Sequence, residues 1–391
     1  LWLPDYKIMT TAPCQAKATS FFQLLQNTPG LDGRDNRGKI HDMAFVLTGL
    51  TLAICCGRDG KLSRLHRHMT NHFEALRLAT QTFPESVISR AQLPLLLAKV
   101  NSEAFTVLLF EWFGLVLSEE AKRWFTLDGK ELRGSILLGH NRGEACVWAL
   151  AQDSGQVASQ SYYNGSKESE RPAVLQLLTE SGLCSQKITL DALHLTPKVT
   201  GAIARAKGVY LIGLKSNQHH LHRYCFCKCL ASTPAYERTD EPGRGHGRVD
   251  QRIYGCFSLT SGALASRWRK VGMRTCVKVT RIRKGLDGSP VSIKTCYYIS
   301  NAHPATQAEE LFDAIRRHWL VEVNHYYRDV TLAEDDLRTK SQTVSQIMSN
   351  LRTLVVNLLK RLKPKNMAAQ IDGFADDFNT LIQFMTQQMV L

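Results

Sequence analysis

The sequence predicts an α/β fold that carries an antiparallel β insertion and is preceded by a small helical N-terminal domain. Three patterns support this. Apolar residues recur at helical spacing up to about residue 118, and strand-like runs then alternate with helical ones. Three further strand-like runs, joined by Gly- and Pro-containing turns, occupy much of 219–302. Alternation of strands with helices implies a sheet with parallel order.

Met43 to Cys56 is the longest apolar run, but two threonines and a glycine interrupt it. It is shorter than the roughly 20 residues that cross a bilayer, so it reads as a buried helix. Leu62, Leu65 and Met69 continue the helical spacing. Beyond Ser118, Trp124 to Leu127 is a strand ending in Asp128. Glu144–Ala151 and Gln156–Tyr163 pair as a hairpin through Asp153-Ser154-Gly155-Gln156. Ala173 to Ser181 is a helix stopped by Gly182. Lys187 to Leu190 is a strand ending in Asp191, Pro197 to Lys207 a helix, and Val209 to Leu214 a strand. Insertion strands are expected at Arg252–Leu259, Val271–Ile282 and Val291–Ile299. A helix from about Ala305 carries His318, Trp319 and Glu322, and helices near Thr343–Lys363 and Phe374–Met389 close the chain. The expected division is a helical domain over 1–118 and an α/β domain over 119–391.

Composition narrows the function. An apolar content of 44% excludes a disordered chain. A net charge of +14 calls for a polyanionic partner, nucleic acid before anionic membrane. The start, Leu1-Trp2-Leu3-Pro4-Asp5, has no basic region of the signal-peptide kind. The eleven cysteines are scattered and read as free thiols of a reducing, cytoplasmic compartment. The tightest group, Cys225-Phe226-Cys227-Lys228-Cys229, lacks the spacing of a structural zinc site. No GxxxxGK[ST] loop is present, so no nucleotide cofactor is expected, and no Gly-x-Ser-x-Gly elbow supports a serine hydrolase.

Two of the strands end in aspartate, where open sheets place their ligands, although aspartate is also a common turn residue. Two aspartates and a helical glutamate offer the hard oxygens that magnesium prefers. The order strand–Asp128, strand–Asp191, insertion, helix–Glu322 is that of ribonuclease-H-like nucleases. Six segments carry a closer resemblance. They are Phe125-Thr126-Leu127-Asp128-Gly129-Lys130-Glu131-Leu132-Arg133-Gly134-Ser135, Leu190-Asp191-Ala192-Leu193-His194, Tyr210 to Gln218, Gly245-His246-Gly247-Arg248, His318-Trp319-Leu320-Val321-Glu322, and Asp329-Val330-Thr331-Leu332-Ala333-Glu334-Asp335. In this order they resemble the H-repeat-associated DDE insertion-sequence transposases, from about residue 20 to 362.

The resemblance implies a ribonuclease-H-like catalytic core and a DNA transposase, nucleoid-associated and dimeric on DNA. Asp128, Asp191 and Glu322 would hold two Mg2+ (or Mn2+) ions for strand cleavage and transfer. A catalytically inactive DNA-binding relative and an endonuclease without strand transfer are the alternatives. One departure stands out. Related families surround the Glu with Y-x2-R-x3-E-x6-K, whereas this chain has Ile315, His318, Glu322 and Asp329 there. Arg328 or Arg317 would then replace the missing cations, and Asp329, Glu334 and Asp335 compete as metal ligands. Further DNA contacts are expected from Lys130 and Arg133 after the first Asp, from Lys215, Asn217 and Gln218, and from His318. Trp319 reads as core. Arg267 to Lys284, with Arg274, Lys278 and Arg281, contains no acid, and Arg244, His246, Arg248 and Arg252 form a second basic patch; both suit DNA backbone.

Overall fold

Ten strands are laid down along the described chain: β1 (Trp124–Glu131), β2 (Ala145–Ala151), β3 (Val157–Tyr163), β4 (Lys187–Leu190), β5 (Val209–Leu214), β6 (Tyr236–Thr239), β7 (Gly243–Gly245), β8 (Arg248–Ser258), β9 (Thr275–Gly285) and β10 (Pro290–Ser300). The computed structural model describes residues 19–391 apart from 58, 116 and 246, so the reading of Leu1 to Asp5 and of His246 lies outside it. With helices among these strands, the protein is a mixed α/β fold. It divides into two compact units, each assembled from separated stretches of chain.

The first unit contains residues 117–128 and 174–319. Its strands run β1-β4-β5-β10-β9-β8-β6, with β7 also paired to β8. β1, β4 and β5 are parallel, with Thr126 opposite Thr189 and Thr189 opposite Leu211; the remaining pairs are antiparallel. Ile188, Thr189 and Leu190 are all buried, as expected of a strand covered on both faces. One face is covered by the helix Ala308–His318, which packs Leu311 and Phe312 against Leu211, Tyr254 and Val277. The opposite face carries the helix His219–Ala231, where Cys229 meets Cys276 and His222 meets Tyr297. That helix opens the segment expected to be a β insertion throughout. Its buried side consists only of Leu221, Cys225 and Cys229.

The second unit contains residues 129–173 and 320–391 together with the described residues before 116. All fourteen residues of the helix Met43–Cys56 are buried. A helix apolar on every side needs neighbours all round. The helix Gln342–Arg361 lies against it, and one continuous core runs from Phe21 through Trp112 to Val390. The N-terminal helices therefore share their core with the C-terminal ones. The β2–β3 hairpin belongs to this unit, and Asn357 both donates to and accepts from the Val157 backbone. Among the described residues, no helix is long and apolar enough to cross a membrane.

Candidate active site

Alternate residues of a strand share a face. Thr126 and Thr189 are register partners on parallel neighbours, and Asp128 and Asp191 each follow by two residues. β1 runs on to Glu131, so Asp128 lies within it, two residues past the Thr126 pairing with β4, while Asp191 directly follows β4. Alternation puts both on one face of neighbouring strands, about one strand spacing (~5 Å) apart along the sheet. Lys215 follows the end of β5, the next strand over. Its ammonium reaches both Asp191 oxygens, at 3.2 and 3.3 Å.

The threonines fix a third side chain. Thr126 and Thr189 hydroxyls lie 2.9 Å apart, and Thr189 Oγ1 is 2.9 Å from Nδ1 of His318, at the end of the Ala308–His318 helix. Burial drives the His318 pKa down to about 4, against the pull of Asp191, so the ring is neutral at pH 7. Burial alone would raise Asp191, but the Ala192 N–H, Lys215 and His318 outweigh it and hold the carboxyl below its usual range. Asp191 is thus an ionised, half-exposed acceptor.

Around this strand end, Gln218 braces the loops, donating to the Leu195 carbonyl at 3.1 Å and accepting from Arg267 at 2.9 Å. Asn217 is exposed beside it. Trp319, read as core from the sequence, is 58% exposed. It caps the C-terminal end of the Ala308–His318 helix.

In the second unit, Glu322 lies on the helix Leu320–Tyr326 as an exposed carboxylate whose pKa is raised by partial burial. Two expectations fail nearby. Lys130 is buried and encircled by Asp329 at 2.6 Å, Asp335 at 3.2 Å and Glu334 at 3.5 Å, which leaves it no face for a phosphate. Arg328 is fully buried, stacked 4.2 Å over Trp148 and bonded to Glu334, Thr353 and Ser349. It is a core residue. Burial raises Glu334, but Arg328 and Lys130 outweigh it and bring it to about 2. With an ammonium among them and a guanidinium on Glu334, Asp329, Glu334 and Asp335 already have cation partners where a metal would have to bind. Arg133 remains exposed, 4.0 Å from Asp335.

On the insertion, register separates the basic residues by face. Arg248, Arg252 and Arg281 alternate onto the face of the two aspartates. Lys278 alternates onto the opposite face, where its charge reaches Cys229, so it is withdrawn from the set near the aspartates. Arg274 is exposed just before β9. The acid missing from Arg267–Lys284 arrives across the strands, as Asp250 of β8 binds Arg281 and Arg283 of β9.

Among the described residues, no group of three or more His, Cys, Asp or Glu side chains is arranged to hold a metal. The Asp128–Asp191 pair still fits magnesium. That ion keeps several waters and is held by one or two carboxylates together with substrate phosphates.

No protein-family model matches the chain. It is similar to "Putative transposase YncI" of Escherichia coli O157:H7, 28% identical over 272 residues, 68% of this chain and 69% of that protein. It is also similar to "H repeat-associated putative transposase YhhI" of Escherichia coli strain K12, 24% identical over 266 residues, 66% of this chain and 70% of that one. Among solved structures, a piggyBac transposase synaptic complex with hairpin DNA gives a TM-score of 0.46 at 9% identity, covering 94% of this chain and 78% of the other.

Proposed function

We propose that this relative of the H repeat-associated transposases is itself a DNA transposase with a ribonuclease-H-like catalytic core. The observation that carries the proposal is the pair Asp128 and Asp191, each two residues past the Thr126–Thr189 pairing of adjacent parallel strands. The chain order adds support: strand–Asp128, hairpin, strand–Asp191, β insertion, then the helix of Glu322. By resemblance, Glu322 supplies the third carboxylate.

The reaction is cleavage of a phosphodiester at an element end by water, followed by attack of the freed 3′-hydroxyl on a target phosphodiester. One P–O bond forms for each one broken in the second step, so no nucleotide is consumed. Two magnesium ions, when bound, would supply positive charge to the attacking and leaving oxygens. Asp128 and Asp191 would hold that charge. Lys215 keeps Asp191 ionised, and its exposed ammonium can turn to a phosphate once other cations neutralise the carboxylate. Neutral His318 orients Thr189 beneath the site.

Incubation with element-end DNA, a target plasmid and magnesium tests this. Joined products are expected. Nicks alone would reduce the protein to an endonuclease, and bound but intact DNA to a binding protein. Asp128→Asn and Asp191→Asn should each lower cleavage at least about a thousandfold while DNA binding persists, since neither removes a cation. Near-normal cutting by either variant would refute the assignment.

A further inference from the structure

On the face that carries Asp128 and Asp191, Arg252, Arg281 and Lys294 stand directly opposite one another across β8, β9 and β10. Like charges facing each other across strands weaken a sheet. One place further out, Asp250 answers them, drawing in Arg281 at 3.1 Å, Arg283 at 3.2 Å and Arg248 at 3.4 Å. Arg316, from the last turn of the Ala308–His318 helix, adds to the crowding; burial first, then Arg316, lower the pKa of Arg252. Arg316 itself has Asp240 at 3.6 Å. Tyr298 feels the charge of both Asp191 and Arg252, which ties the row to the carboxylate end of the sheet.

An anion would relieve this crowding. Across two strand spacings the row is about 10 Å wide. That width spans about three phosphates of one DNA strand, whose charges recur every ~3.4 Å along the axis.

We propose that Arg252, Arg281, Lys294 and Arg316 form a seat for the DNA backbone as it approaches Asp128 and Asp191. This rests on the DNA-cutting reading above and adds to it the face and the residues that deliver the substrate. Such contacts hold all sequences alike.

The test is binding of the full chain to a labelled random-sequence DNA duplex, without divalent metal, over a salt series. Arg252→Gln/Arg281→Gln/Lys294→Gln is expected to weaken binding at least about tenfold and to lower the salt slope by about three, one per cation. Arg223→Gln, which removes an exposed cation from the His219–Ala231 helix on the other face, gives the loss due to one ordinary surface charge. A folded triple variant that binds within about twofold of Arg223→Gln, with an unchanged slope, overturns the proposal. Asp250→Asn has the opposite sign. It should tighten binding several-fold by releasing Arg248, Arg281 and Arg283, and it decides the matter should the triple variant not fold. Unchanged or weaker binding by Asp250→Asn counts against the seat. The cutting reading fails separately: a wild-type chain that binds with this salt dependence yet never nicks DNA with magnesium keeps the seat and loses the chemistry.

Discussion

Asp191 is held ionised by neighbours of two kinds, and each gives a measurable handle. Lys215 lowers its pKa by contact and by charge. In Lys215→Met the carboxyl should therefore protonate at higher pH, moving the acid limb of the cleavage profile upward. A profile that stays in place would show that Lys215 does not govern Asp191. His318 bears on stability. Its folded pKa of about 4 lies below the ordinary 6.5, so on acidification the unfolded chain takes a proton that the folded chain refuses. Stability is full above about pH 6.5 and is lost as pH falls toward 4. His68 and His325 shift the same way for the same reason, burial, each to about 4. Thermal midpoints at pH 7.5 and 4.5 should thus differ, and His318→Gln should narrow the difference. An undiminished difference would remove His318 from the account.

At the scale of elements, the segment after Glu322 serves packing. Arg328 and Glu334 form a buried pair beneath Trp148, and leaving one charge without its partner costs about 3–5 kcal/mol. Arg328→Met, which leaves Glu334 paired with Lys130, should show a loss of at most that size in denaturant unfolding, with DNA affinity unchanged wherever the variant is folded. A stable variant with weakened DNA binding would restore the sequence-based reading. That reading failed for a physical reason: an arginine in an acid-rich stretch looks solvated, and only the fold brings Thr353, Ser349 and Trp148 around it. The parallel strands were readable because short apolar runs ended in aspartate, and the faces of Asp128 and Asp191 follow from strand alternation. The helix His219–Ala231 was not, since histidines and cysteines on an apolar stripe of three residues give little periodicity. The face of each insertion cation could not be read either, because it depends on where each strand starts and on its register.

Across the whole molecule, the expectation of a separate N-terminal domain met a chain whose first helices complete a core with its last. Sequence periodicity shows that Met43–Cys56 must be buried, but not by what. A fragment beginning at residue 117 would leave the apolar face of Gln342–Arg361 bare, and should be insoluble or bind hydrophobic dyes strongly. A soluble, dye-free fragment would contradict the shared core. The arrangement also has a cost in time. Met43–Cys56 leaves the ribosome about 290 residues before Gln342–Arg361 is made, which at ~5–20 residues per second is a wait of roughly 15 to 60 s. Throughout that wait only nearby segments such as Phe21–Asn27 and Leu62–Asn71 can cover the helix, and the side that Gln342–Arg361 later buries stays bare, which favours a chaperone's hold until that helix emerges.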